Sequence, residues 1–208
     1  MMSPLTAQRM LELLQQMAQQ QTNPLLLLLP DNEPVIEQCK YPAEPLVFNQ
    51  QALRAYYHCH AADTRPADEH GHFHIFVSDA DSDNWSHLVA LAMDAYGQPL
   101  SWFTVNRWVT DGEWGSPENL LQHLAQIQPD SDMSLVEQWL LVMLQLYKPE
   151  LATLLQERDA YLEELQMQVP LSERLEDRSI YQLSSHKIDM LKKLEDLLQS
   201  PESFPAYG

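Results

Sequence analysis

Near the start of the chain, apolar residues recur at helical spacing. Met10, Leu13, Leu14 and Met17 form one stripe, and glutamines fill the opposite face. The pattern predicts a helix from Pro4 to Gln21, with Ser3 as N-cap, Pro4 in the first turn and Asn23-Pro24 as the stop. Residues 22–53 hold five prolines and read as an extended, irregular wrap that buries Leu25–Leu29. Period-two alternation then takes over. Candidate strands are Arg54–His60, His70–Val77, His87–Asp94 and Leu100–Trp108, joined by polar loops and by the turn Tyr96-Gly97-Gln98-Pro99. Residues 54–108 are therefore expected to form a small antiparallel sheet of about four strands. Leu88–Ala92 alone would also suit a buried helix.

The helical period returns at Ser116-Pro117-Glu118 and runs through Leu120, Leu121 and Leu124 as far as Pro129. Ser134 and Glu137 fit a capping box that opens a helix to Tyr147, apolar nearly all round and so expected at the centre. Lys148-Pro149 interrupts it, and a further helix is expected from Pro149 to Met167. Arg178–Leu183 suits a short strand. Ser184 or Ser185 then caps a last helix with Ile188, Leu191, Leu194, Leu197 and Leu198 as its stripe. The fold class is α+β in one domain: an N-terminal helix over 1–21, the proline-rich wrap over 22–53, the sheet over 54–108 and helices over 116–199.

Composition narrows the function classes. With 208 residues and 45% hydrophobic content, the chain can bury a real core. Thirty acidic against 12 basic residues give a formal charge of −18, which repels nucleic acid and anionic membrane surfaces. The most apolar run, Leu25–Leu29, is too short to span a bilayer, which needs roughly 20 residues. Two cysteines, Cys39 and Cys59, do not make a disulfide framework, and no basic segment precedes an apolar one at the start. A soluble, cytoplasmic protein is expected. Five glycines leave no phosphate-cradling loop, and no Gly-x-Ser-x-Gly, Cys-x-x-Cys or His-Glu-x-x-His motif occurs.

The candidate chemistry lies in the histidines. Of eight, His58, His60, His70, His72, His74 and His87 crowd into one stretch. Alternation along a strand places His70, His72 and His74 on one face, and His58 and His60 on one face of the neighbouring strand. The outer pair of the row is separated by roughly 13 Å at ~3.3 Å per residue, so three in line cannot close on one ion. Two of them with His58 or His60 can. In a regular hairpin His58 falls opposite His72 and His60 opposite His70. His87 joins or leaves the cluster on a one-residue change of register. Imidazole donors suit zinc, iron, copper or nickel rather than magnesium or calcium. The plain alternative is that these rings are polar positions on a solvated face, or core residues satisfied by carbonyls.

Glu69, just before the row, could serve as ligand, orienting partner or general base, or be an ordinary loop residue. Arg107 is isolated in an acidic chain. It could clamp a ligand's anion or pair with an internal carboxylate, and the internal pairing is favoured. Asp94 beside Tyr96-Gly97 is explained by turn chemistry. Tyr56, Tyr57, Trp102 and Trp114 could line a pocket, but aromatics at strand spacing are more often core.

Glu69-His-Gly-His-Phe-His74, His87-Leu-Val-Ala-Leu-Ala-Met-Asp-Ala-Tyr-Gly97 and Asn106-Arg-Trp-Val-Thr110 resemble a family of uncharacterised bacterial proteins. The resemblance spans about Tyr56 to Arg158. It implies an intact domain and carries no mechanism. Two readings follow from the residues. One is a transition-metal protein with zinc, iron or copper on the sheet face, extending to a small metalloenzyme if a coordination position stays open. The other is a non-catalytic interaction or adaptor protein whose histidines are structural. The identity of a small-molecule or protein partner is left open by both.

Overall fold

A computed structural model of the protein describes residues 4–30, 35–48, 52–78, 84–126, 132–165 and 168–199. The strands are β1 (Tyr41–Phe48), β2 (Leu53–His58), β3 (Gly71–Val77), β4 (Ser86–Met93), β5 (Pro99–Val105) and β6 (Gln182–Lys187). The helices are α1 (Pro4–Gln19), α2 (Arg107–Thr110), α3 (Pro117–Gln126), α4 (Leu135–Leu146), α5 (Lys148–Leu165), α6 (Leu171–Arg174) and α7 (Met190–Leu198). The fold is α+β, with one antiparallel sheet in the order β1-β2-β3-β4-β5-β6. Every strand lies beside its chain neighbour, although five helices intervene between β5 and β6.

The sheet has six strands rather than about four, because Tyr41–Phe48 and Gln182–Lys187 add a strand at each edge. Pro42 and Pro45 lie within β1, which pairs only with β2. Proline lacks an N–H but is tolerated on an edge strand, so Tyr41–Phe48, within what reads as an irregular wrap over 22–53, is the first strand. At the other edge Ser184 and Ser185 are strand residues, and Asp189 caps α7 by accepting from the Lys192 N–H at 3.0 Å. Pairing with β5 takes precedence over the serine cap that the sequence predicts. The predicted strand to Trp108 stops at Val105, because Asn106 accepts from the Arg107 N–H and starts α2. The proposed cap Ser3 and the helix-ending residues Pro129 and Met167 lie outside the described residues.

One face of the sheet carries the main core. Leu53, Ala55 and Tyr57 from β2, Phe73, Ile75 and Val77 from β3, and Trp102 from β5 pack with Met10, Leu13 and Met17 of α1. Trp139 and Leu140–Leu144 of α4, and Leu151, Leu154 and Leu155 of α5, complete it. The Ser134–Glu137 capping box is formed, and α4 is buried nearly all round as its sequence implies. Of Leu25–Leu29, Leu25 is buried, Leu28 and Leu29 pack against the core, and Leu26 and Leu27 are exposed. Among the described residues no helix is long and apolar enough to cross a membrane. The opposite face of the sheet carries Tyr56, His58, His72 and His74, with Ala90, Ala92, Phe103 and Val105 beside them.

Candidate metal centre

The β2–β3 ladder pairs Tyr57 with Phe73 and His58 with His72, so alternation sends the aromatics to the helices and the imidazoles to the far side. His58 Nε2 and His72 Nε2 lie 2.9 Å apart, and His74 stands next to His72 with ring centroids 4.9 Å apart. One ring nitrogen from each of His58, His72 and His74 falls within 4.8 Å of the others, a set that could hold a metal ion. His72 and His74 are buried and His58 is half-buried.

Glu69 orients the group. Its Oε1 lies 2.6 Å from His72 Nδ1, so Nδ1 donates to the carboxylate and the ring's Nε2 faces His58. A carboxylate behind a histidine is the usual device for fixing tautomer and ring angle at a metal.

His87 enters through a bulge. Opposite β3, Ile75 pairs with Val89 but Phe76 pairs with His87, so Leu88 is the extra residue. Leu88 and Val89 both go into the helix-side core, and His87 turns to the imidazole face. There its Nε2 lies 2.9 Å from His74 Nδ1. This contact occupies Nδ1 of His74 and leaves its Nε2 for an ion.

His60 lies just past the end of β2, its ring centroid 4.7 Å from His58 and 5.2 Å from His72. Its Nδ1 faces Gln38 Nε2 at 2.8 Å. It flanks the set of three rather than belonging to it. His70 leaves the row that strict alternation predicts. It precedes β3, stacks on Tyr57 and meets the Tyr57 hydroxyl at 2.7 Å through Nδ1. Between His70 and His72 only glycine fits, since a Cβ on Gly71 would sit 2.4 Å from the His58 carbonyl oxygen.

Burial holds His58, His74 and His87 neutral. Burial, then the neighbouring His72, His60 and Lys40, bring His58 down to about 3. Burial and then Arg158 bring His87 down to about 3. His74 is held well below the ordinary range, by burial first and the surrounding histidines after it. Neutral rings are the form that donates to a metal.

A cavity of about 270 Å³ opens beside His72. His60, Arg65, Glu69, Phe103 and Tyr181 are among its walls. The Tyr181 hydroxyl is pushed up to about 12, chiefly by burial and then by Glu69 and Tyr56. Arg65 donates to the Glu69 carbonyl oxygen, tying the loop across the site. Sequence reasoning passed over Arg65, Phe103 and Tyr181. Arg65 sits in a polar loop without a pattern, and Tyr181 arrives only with β6, over a hundred residues downstream. Arg107, read as a candidate anion clamp, pairs with Glu176 and does not line this cavity. Asp94 accepts from the Tyr96 and Gln98 N–H groups at 2.8 Å each, the turn role expected of it. Cys39 and Cys59 are free thiols.

Fold and site together define an α+β protein with a buried histidine cluster on the sheet face away from the helices. The chain belongs to the family described as a domain of unknown function, DUF6969, whose profile matches residues 5–188. No curated protein and no solved structure matches it.

Proposed function

We propose that the protein binds one transition-metal ion on its sheet face through His58, His72 and His74, with Glu69 as the orienting carboxylate of His72. The observation that carries this reading is the convergence of three ring nitrogens within 4.8 Å, one of them backed by a carboxylate at 2.6 Å. Zinc, iron and copper suit a set of imidazoles, whereas the oxygen-seeking magnesium and calcium do not. Zinc closed by four protein ligands is structural, and three protein ligands with an open fourth position are the catalytic arrangement. Three imidazoles beside a cavity fit the second pattern, so the reading extends to a small metalloenzyme. His60 and His70, whose rings engage Gln38 and Tyr57, support the fold around the centre rather than ligating.

The test is elemental analysis and metal titration of untagged wild type, His72→Ala and His186→Ala. His186 is an exposed residue of β6 outside the cluster. Wild type and His186→Ala should bind one equivalent, and His72→Ala should lose tight binding. Equal affinity in all three refutes the site. Failure of all three to bind zinc, copper, iron or manganese favours the interaction-protein reading instead.

A further inference from the structure

The cavity beside His72 is built to receive an acceptor. The Nε of Arg65 and the Nε2 of His60 are both buried and have no hydrogen-bond partner among the described residues. Both side chains line the same cavity. With Gln38 Nε2 donating to His60 Nδ1, the proton of the neutral His60 ring sits on Nε2. Two N–H donors on side chains that line one cavity therefore lack a partner, although buried donors nearly always find one. A guanidinium beside an imidazole N–H is suited to a carboxylate.

The rest of the wall selects what carries that carboxylate. Phe103 and Tyr181 supply aromatic surface, and the volume of about 270 Å³ lies below the roughly 300–1,000 Å³ of drug-sized pockets. Among the lining residues Arg65 and Glu69 cancel in charge, so the cavity alone attracts an anion weakly. A divalent ion held by His72 and its partners would tip that balance, since charges in a half-buried site interact strongly.

We propose that this cavity binds a small organic monocarboxylate with an apolar or aromatic body, its carboxylate held by Arg65 and His60 next to the metal. This rests on the metal reading above and names the ligand class of the same site.

The test uses benzoate as probe, with acetate and inorganic phosphate as comparators, measured by calorimetry on zinc-loaded and zinc-free full-length protein. Zinc stoichiometry is determined separately on every sample. Benzoate should bind the zinc-loaded protein at least about tenfold more tightly than the zinc-free protein, and more tightly than acetate or phosphate. Arg65→Met should weaken benzoate about 10- to 100-fold, the range for losing a hydrogen bond to a charged group, with zinc stoichiometry unchanged. Because Arg65 also ties down the loop through Glu69, Tyr181→Leu is the second variant. It should narrow the preference for benzoate over acetate and leave zinc binding intact. Normal zinc binding with no benzoate binding, or with benzoate unaffected by both variants, overturns the carboxylate pocket and spares the metal site. Tighter phosphate than benzoate overturns the organic-ligand assignment. Failure to bind zinc, copper, iron and manganese alike overturns both proposals.

Discussion

Lowering the pH from 7.5 to 5 should strip the metal-free protein of a large part of its stability. His58 and His87 are held at about 3 in the folded state, against 6.5 for an unperturbed ring. Above pH 6.5 the rings are neutral in both states, and the shift makes no difference. Below it the unfolded chain takes up protons that the folded chain refuses, so stability falls as pH falls from 6.5 toward 3. At pH 5 each such ring costs about 2 kcal/mol, at 1.36 kcal/mol per pH unit. His58 and His87 together cost about 4 kcal/mol, and His74 shifts in the same direction. Against a typical domain stability of about 5–15 kcal/mol, and about 2–4 °C per kcal/mol at this size, Tm should fall by about 8–16 °C. Carboxylates titrate mostly below this window, and their protonation would relieve repulsion in a chain of charge −18, an effect of opposite sign. The assay is reversible unfolding of chelator-treated protein at half-unit pH steps, with His87→Gln alongside. His87→Gln should show a slope shallower by about one proton, and a wild-type profile flat from pH 7.5 to 5 would refute buried neutral imidazoles as the cause.

Other predictions follow from single contacts. Glu69→Gln should weaken metal binding about 10- to 100-fold without abolishing it, read by competition with a chromophoric chelator. Gly71→Ala should destabilise the fold by about 1–3 kcal/mol in chemical denaturation, because its Cβ would meet the His58 carbonyl oxygen at 2.4 Å and the Tyr57 hydroxyl at 2.6 Å. Ser134→Ala should cost about 0.5–2 kcal/mol in the same assay, through loss of the α4 capping box. Saturating zinc at a hundred times its Kd should raise stability by about 2.7 kcal/mol at pH 7.5 in wild type but not in His72→Ala.

The centre of the fold was legible in the chain because burial there follows simple periods. Met10, Leu13 and Met17 announce α1, and the all-round apolar run from Trp139 to Leu146 announces the buried α4. The pairing of His58 with His72 also follows from alternation and a hairpin register. What escaped was set by tertiary context. An edge position makes Pro42 and Pro45 acceptable in β1, and a vacant edge on β5 draws Ser184 and Ser185 into β6. His87 depends on the single extra residue Leu88, which alternation cannot reveal because a bulge breaks the period itself. His70 fails for the converse reason: it stands one residue before the strand whose alternation was extended to include it.

The histidine face also bears on what the sheet was selected to do. The helix-side core already closes with aliphatic and aromatic residues from α1, α4, α5 and the five strands β1–β5. Stability alone would be served by extending the same apolar pattern across the other face, where Ala90, Ala92, Phe103 and Val105 show it is accepted. Instead His72, His74 and His87 are buried there, tied to one another and to Glu69. His74 and His87, kept neutral by burial, destabilise the protein in acid, as worked out above, and a hydrogen-bonded polar group buried in place of an apolar one adds little at neutral pH. An ion bound at the convergence of His58, His72 and His74, as proposed, would reverse that balance by binding the folded arrangement and not the unfolded chain. The proposed metal binding would account for both the placement of the rings and the carboxylate behind one of them. A purely structural role explains the hydrogen bonds but not why three ring nitrogens converge.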